Sequence, residues 1–135
     1  YKDFKPVNDW IYKGKGKIVM GGSKYNEELS QARKYLRLIT ELSRRNKVVH
    51  CDDTVVDNHQ AIIEGLIDDN GCDDPHLIAI VRATHVRLVC TKEERAIKYL
   101  KNIQLYEHST HRPKIYRRAE HHNLLIDNNL ANCCK

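Results

Sequence analysis

Apolar positions recur along the chain in short runs whose period alternates between that of a helix and that of a strand. Phe4, Val7, Trp10 and Ile11 stand at helical spacing and Gly14 and Gly16 end the run, which predicts a helix over residues 4–13. Lys17-Ile-Val-Met20 reads as a short buried strand closed by Gly21-Gly22. Ser23 is placed to cap the next helix, with Asn26 and Glu27 in its first turn. That helix is expected over about residues 24–45, because Tyr25, Leu29, Ala32, Leu36, Ile39 and Leu42 form one apolar stripe.

Lys47-Val-Val-His-Cys51 reads as a second strand, and Asp53 or Thr54 caps a helix carrying Val55, Val56, Ile62, Ile63, Leu66 and Ile67. The turn 68–74 leads to a helix capped by Asp73 or Asp74, with Pro75 at its first position and Leu77, Ile78, Ile80 and Val81 inward. Arg87-Leu-Val-Cys-Thr91 is a third strand, residues 92–101 a helix, and Lys114-Ile-Tyr116 a last short strand. The alternation predicts an α/β fold, three layers with a mostly parallel central sheet between helices. One such domain is expected over residues 1–125, followed by a tail at 126–135.

Composition narrows the setting. No apolar run approaches the roughly 18 residues of a membrane span, and the polar start does not read as a signal peptide. Five cysteines without regular spacing argue against a disulfide framework and for a reducing, cytoplasmic compartment. Cys51 and Cys90 read as small core residues, and Cys133-Cys134 as part of a frayed tail. Charge is unevenly spread. Residues 1–50 carry twelve Lys or Arg against five acids, residues 51–74 eight acids and no Lys or Arg, and residues 75–135 eleven against five. Basic flanks around an acidic block suit a polyanionic partner, RNA among them. A solvated surface with an acidic loop is the competing reading.

Ligands of an open parallel sheet gather at the carboxyl ends of its strands. Glu28 follows the first strand, Asp73 and Asp74 open a helix, and Glu93 follows the third strand. Carboxylates from separate elements suit Mg²⁺ or Mn²⁺, which can activate water against a phosphodiester. Each residue also has an ordinary reading, Asp73 and Asp74 as helix caps and Glu28 and Glu93 as first-turn acids. His76 reads as packed or hydrogen-bonded. His108, His111, His121 and His122 match no closed zinc spacing and read as surface residues. Candidate RNA contacts are Lys24, Lys92, Arg95, Arg112, Lys114, Arg117 and Arg118, with Tyr116 stacking on a base or else buried in the core.

Cys72-Asp-Asp-Pro-His-Leu-Ile-Ala-Ile80, followed by Val86-Arg-Leu-Val-Cys-Thr91, resembles the late core of the PIN-like ribonuclease family, toxin-type members included. There an acid opens a helix of the type Asp-x-His-Ile-Ile-Ala-Leu-Ala, and a strand Leu-Leu-Val-Thr leads to another acid. Gly21-Gly-Ser-Lys-Tyr-Asn-Glu-Glu-Leu29 is similar to the stretch bearing the family's helix-borne Glu, and residues 114–125 resemble the end of some bacterial members. The resemblance spans roughly residues 17–125. It implies a metal-dependent endoribonuclease cutting single-stranded RNA, with Glu28, Asp74 and Glu93 catalytic and holding Mg²⁺ or Mn²⁺. Asp73 is the reserve for Asp74, and Glu94 for Glu93, where the family usually has Asp. It also implies a small inhibitory protein partner, and leaves monomer and homo-oligomer open. The family begins with a strand ending in Asp, which nothing before Phe4 supplies. Either upstream residues are absent from this chain, or the domain is an inactive module that binds RNA or a protein.

Overall fold

The computed structural model describes residues 2–67, 71–72 and 74–134. Its strands form where the apolar runs lie. Strand β1 (Ile18–Gly21) pairs in parallel with β2 (Val48–Cys51), Ile18 opposite Val48 and Gly21 opposite Cys51. Strand β3 (Leu88–Cys90) pairs in parallel with β4 (Lys114–Tyr116), Leu88 opposite Lys114. The protein is therefore α/β with parallel pairing, but the expected single sheet is divided into two two-stranded sheets. Among the described residues no strand joins β1 to β3. The other long apolar runs are taken up in helices, and an apolar groove lined by Ile18, Val19, Leu88 and Val89 lies between the sheets.

Helix α1 (Lys5–Lys13) precedes β1. The long helix expected next is broken into α2 (Ser23–Ser30) and α3 (Arg33–Arg44). Ser30 Oγ turns back onto the Glu27 carbonyl at 2.7 Å, and the N–H groups of Gln31 and Ala32 bond only three residues back. Such tightening ends a helix. The stripe also loses its common face there, since Leu36 is 43% exposed whereas Leu42 is buried.

Helix α4 (Asp53–Leu66) packs closely on α5 (Pro75–Thr84), and α6 (Glu94–Leu100) follows β3. The cap of α4 is Asp52, which accepts from the N–H groups of Thr54 and Val55 at 2.8 and 3.3 Å, in place of the expected Asp53 or Thr54. The main core joins Ile63 of α4, Ile78 and Val81 of α5, Val89 of β3 and Leu100 of α6. A second cluster, Val56, Ala79 and Ile80, lies under β1 and β2, with Val19 and Cys51 against it. The segment before the Cys133-Cys134 pair packs on the domain. Leu130 and Ala131 are buried against Trp10, Val19, Val49 and Val86, because this apolar pair covers a sheet face that would otherwise be wet. No helix of the described residues is long and apolar enough to cross a membrane.

The two glycines at the end of β1 leave no room for a side chain. A Cβ on Gly21 would stand 2.6 Å from the Cys51 carbonyl oxygen, and one on Gly22 would stand 2.7 Å from Val56 Cγ1. Gly22 also has φ +97°, a conformation L side chains rarely adopt. Gly22→Ala is therefore expected to destabilise the protein by about 2 kcal/mol. A denaturation midpoint unchanged by this substitution would refute the close approach.

Candidate metal centre

The position of α2 is set from α4. Asp53 and Asp57, one turn apart, both reach the start of α2. Asp53 Oδ1 accepts from the Gly22 N–H at 2.8 Å and lies 2.9 Å from His50 Nε2, while its Oδ2 accepts from Asn26 Nδ2 at 2.8 Å. Asp57 accepts from the Ser23 N–H at 2.9 Å and from Ser23 Oγ at 2.6 Å. Ser23 is thus the first residue of α2, and Gly22 occupies the cap position expected for Ser23. The first N–H groups of α2 find carboxylates supplied by another helix. The Gly22 N–H, with help from His50 and Asn26, holds the Asp53 carboxyl below the usual carboxylate range.

Held this way, α2 lays Tyr25 against Val56, Ala79 and Ile80. One turn on in α2, and one turn back in α5, Glu28 meets the start of α5. Single ligand atoms of Glu28, Asp74 and His76 lie within 4.8 Å of one another, and His76 Nε2 is 3.4 Å from Glu28 Oε2. His76 is buried, Asp74 half-buried and Glu28 exposed. Burial, and secondarily the Glu28 charge, raises the Tyr25 phenol above its ordinary value. Asp74 sits at the cap position of α5 but makes no side-chain cap bond. Its carboxylate is turned to Glu28 and His76 and does not serve the helix end.

The sequence pointed to Glu28 and Asp74, and the fold brings them together. It did not point to His76 as a member. The available signal was an imidazole two residues after an acid at a helix start, where both can share one side of the first turn. Glu93 is not part of the trio, but it lines a small cleft with Asp74, Cys72 and Arg95. Glu94 instead pairs with Arg117. Asp73 lies outside the described residues.

The basic residues divide. Lys92 pairs with Asp3 and lies over the Phe4 ring, 5.9 Å from its centroid. Arg112 donates to the Ser109 and Lys101 carbonyls at 3.1 and 3.3 Å, clamping its own loop. Lys24, Lys114 and Arg118 are exposed, as is Arg95 at the cleft. Tyr116 corrects one expectation. It is 0% exposed, donates to the Asp3 carbonyl at 2.6 Å and meets the rings of Phe4 and His121, so no face is open to a base.

Two carboxylates and an imidazole form a mixed donor set. Such a set could hold a divalent cation, Mg²⁺ less readily than a softer ion, since Mg²⁺ takes oxygen ligands and retains water. Comparison with protein-family models, curated proteins and solved structures gave no match.

Because the folded Asp53 carboxyl titrates below its ordinary value of 3.8, its contribution is full above that pH and disappears as pH falls through the depressed value. Asp53→Asn, which imitates the protonated form, should lower Tm at pH 7 by roughly a few degrees. The gap from wild type should shrink in scans taken below pH 3.8. A gap that stays constant into acid would mean that the charge of Asp53 does not hold α2.

Proposed function

We propose that this protein is a metal-dependent endoribonuclease of the PIN-like kind, hydrolysing phosphodiester bonds of single-stranded RNA. The observation that carries the reading is the meeting of Glu28 and Asp74, from two helices distant in sequence, beside His76. In this reading the two sheets belong to one three-layer α/β/α arrangement, with the site beyond the strand ends. Glu28 and Asp74 would hold Mn²⁺ or Mg²⁺, with His76 beside them and Glu93 across the cleft. A bound cation would lower the pKa of an attacking water and neutralise charge on the scissile phosphate. His76, in reach of Glu28, orients that carboxylate and limits its rotation. Lys24, Arg95, Lys114 and Arg118 attract the RNA backbone, a term that weakens as salt rises. By the same family likeness, a small inhibitory protein is the partner that would regulate the activity.

A second reading is favoured by one observation, Glu93 standing outside the trio. It makes the chain a non-catalytic PIN-like module that binds RNA or protein.

Labelled single-stranded RNA incubated with Mn²⁺ separates the two. The nuclease reading expects metal-dependent cutting that falls roughly 100-fold in Asp74→Ala and in Glu28→Gln, and about tenfold in His76→Ala. Salt-sensitive RNA binding by the folded chain without cutting would move the assignment to the module.

A further inference from the structure

Three imidazoles lie near the far end of α5, His111 in contact with each of the other two, ten residues and therefore about 15 Å along the helix from the acidic end. His85 follows the last turn, its N–H bonded to the Val81 carbonyl at 2.8 Å. The His111 ring stands edge-on to it with centroids 4.4 Å apart, and the His108 ring is edge-on to His111 at 5.0 Å. His85 adopts φ 55° and ψ 34°, a left-handed conformation that glycine would take at less cost.

The framework around the rings is well tied. The N–H of His111 bonds the His108 carbonyl at 3.0 Å within the short 3-10 turn Ser109–His111, and the Arg112 clamp follows it. Arg82 of α5 holds the segment before it. Its Nη1 donates to the Leu105 carbonyl at 2.9 Å, its Nε to His59 Nδ1 at 3.1 Å, and its Nη2 lies 3.8 Å from Glu107 Oε1.

Two imidazoles bound to one tetrahedral zinc, at Zn–N distances of about 2.0–2.1 Å, have ring centres roughly 5 Å apart. The observed separations of 4.4 and 5.0 Å are at or slightly shorter than that spacing. The nitrogens are not gathered as in the Glu28 trio, so binding requires ring rotation, and the terminal torsion of histidine is soft.

We propose that His85, His108 and His111 form a separate site for Zn²⁺ or a similar borderline divalent ion, with water in the fourth position. The ion would clip the segment leading into β4 onto the end of α5. His121 takes no part, since its Nδ1 is engaged by the Arg117 N–H at 3.0 Å and its ring faces Tyr116.

Calorimetric titration with Zn²⁺ at pH 7.5 tests this, in an Asp74→Ala background that disables the acidic centre. One ion per chain is expected, and affinity should fall at least roughly tenfold in His85→Gly and in His111→Ala but not in His121→Ala. His85→Gly relieves the left-handed strain, so it should remain folded and keep its Tm without zinc, while the zinc-induced rise in Tm disappears. Absence of zinc binding, or binding unaffected by His85→Gly and His111→Ala, would overturn the proposal.

Discussion

The absence of side chains at Gly21 and Gly22 is the constraint on which the rest of the molecule depends. It lets β1 close against the Cys51 carbonyl and lets the chain pass over Val56 without a clash. At that contact two things happen together. The chain leaves the sheet, and α2 begins within reach of Asp53 and Asp57. The backbone N–H groups at the start of a helix need acceptors, and the carboxylates of α4 need donors. Each end satisfies the other. The resulting clasp sets where Glu28 falls, although Glu28 itself takes no part in it.

Helix α5 is the second organising element, and its two ends do different work. Its middle is apolar and almost wholly buried, from Ile78 through Val81, which fixes its position between the two core clusters. A helix so held offers little freedom at its termini. Polar side chains placed there are presented at fixed positions, Asp74 and His76 at one end and His85 at the other. A rigid element of this kind is what a precise ligand set requires.

Elements were legible in the sequence wherever a local pattern determines them. The four apolar runs became strands, and Pro75 marked the start of α5 correctly. The failures have a common origin, in that partners distant in sequence decided the outcome. Asp53 resembled a cap because caps are local, yet it is used thirty-one residues away on Gly22. The stripe from Tyr25 to Leu42 implied one helix, because periodicity registers which residues are apolar and not whether one surface can cover them all. Tyr116 fits either a base-stacking or a core role by its sequence, and Asp3 and Phe4, closing over it from the other end of the chain, decide for the core. Glu28 and Asp74 were found through a resemblance, since spacing alone leaves both as ordinary helix-terminal acids. His76 reads as packed or hydrogen-bonded, and it is buried with its Nε2 3.4 Å from Glu28 Oε2, a partner on another helix.

The charge pattern acquires a different meaning once its members are located. The acidic block at residues 51–74 had an acidic, solvated loop as its ordinary reading, but its described acids serve separate purposes. Asp52 caps α4, Asp53 and Asp57 hold α2, and among its described acids Asp74 is the one that joins Glu28 and His76. The basic flanks divide in the same manner. Lys92, Arg112 and Arg117 bind the protein to itself, while Lys24, Lys114 and Arg118 stand exposed. The net charge of +5 already subtracts every Asp and Glu, so these internal bonds decide where positive charge is displayed and not how much of it there is. A polyanion approaching the cleft would meet Arg95 beside Asp74 and Glu93. A cation bound between the acids would reverse the sign of that arrangement and turn a repelling cleft into an attracting one.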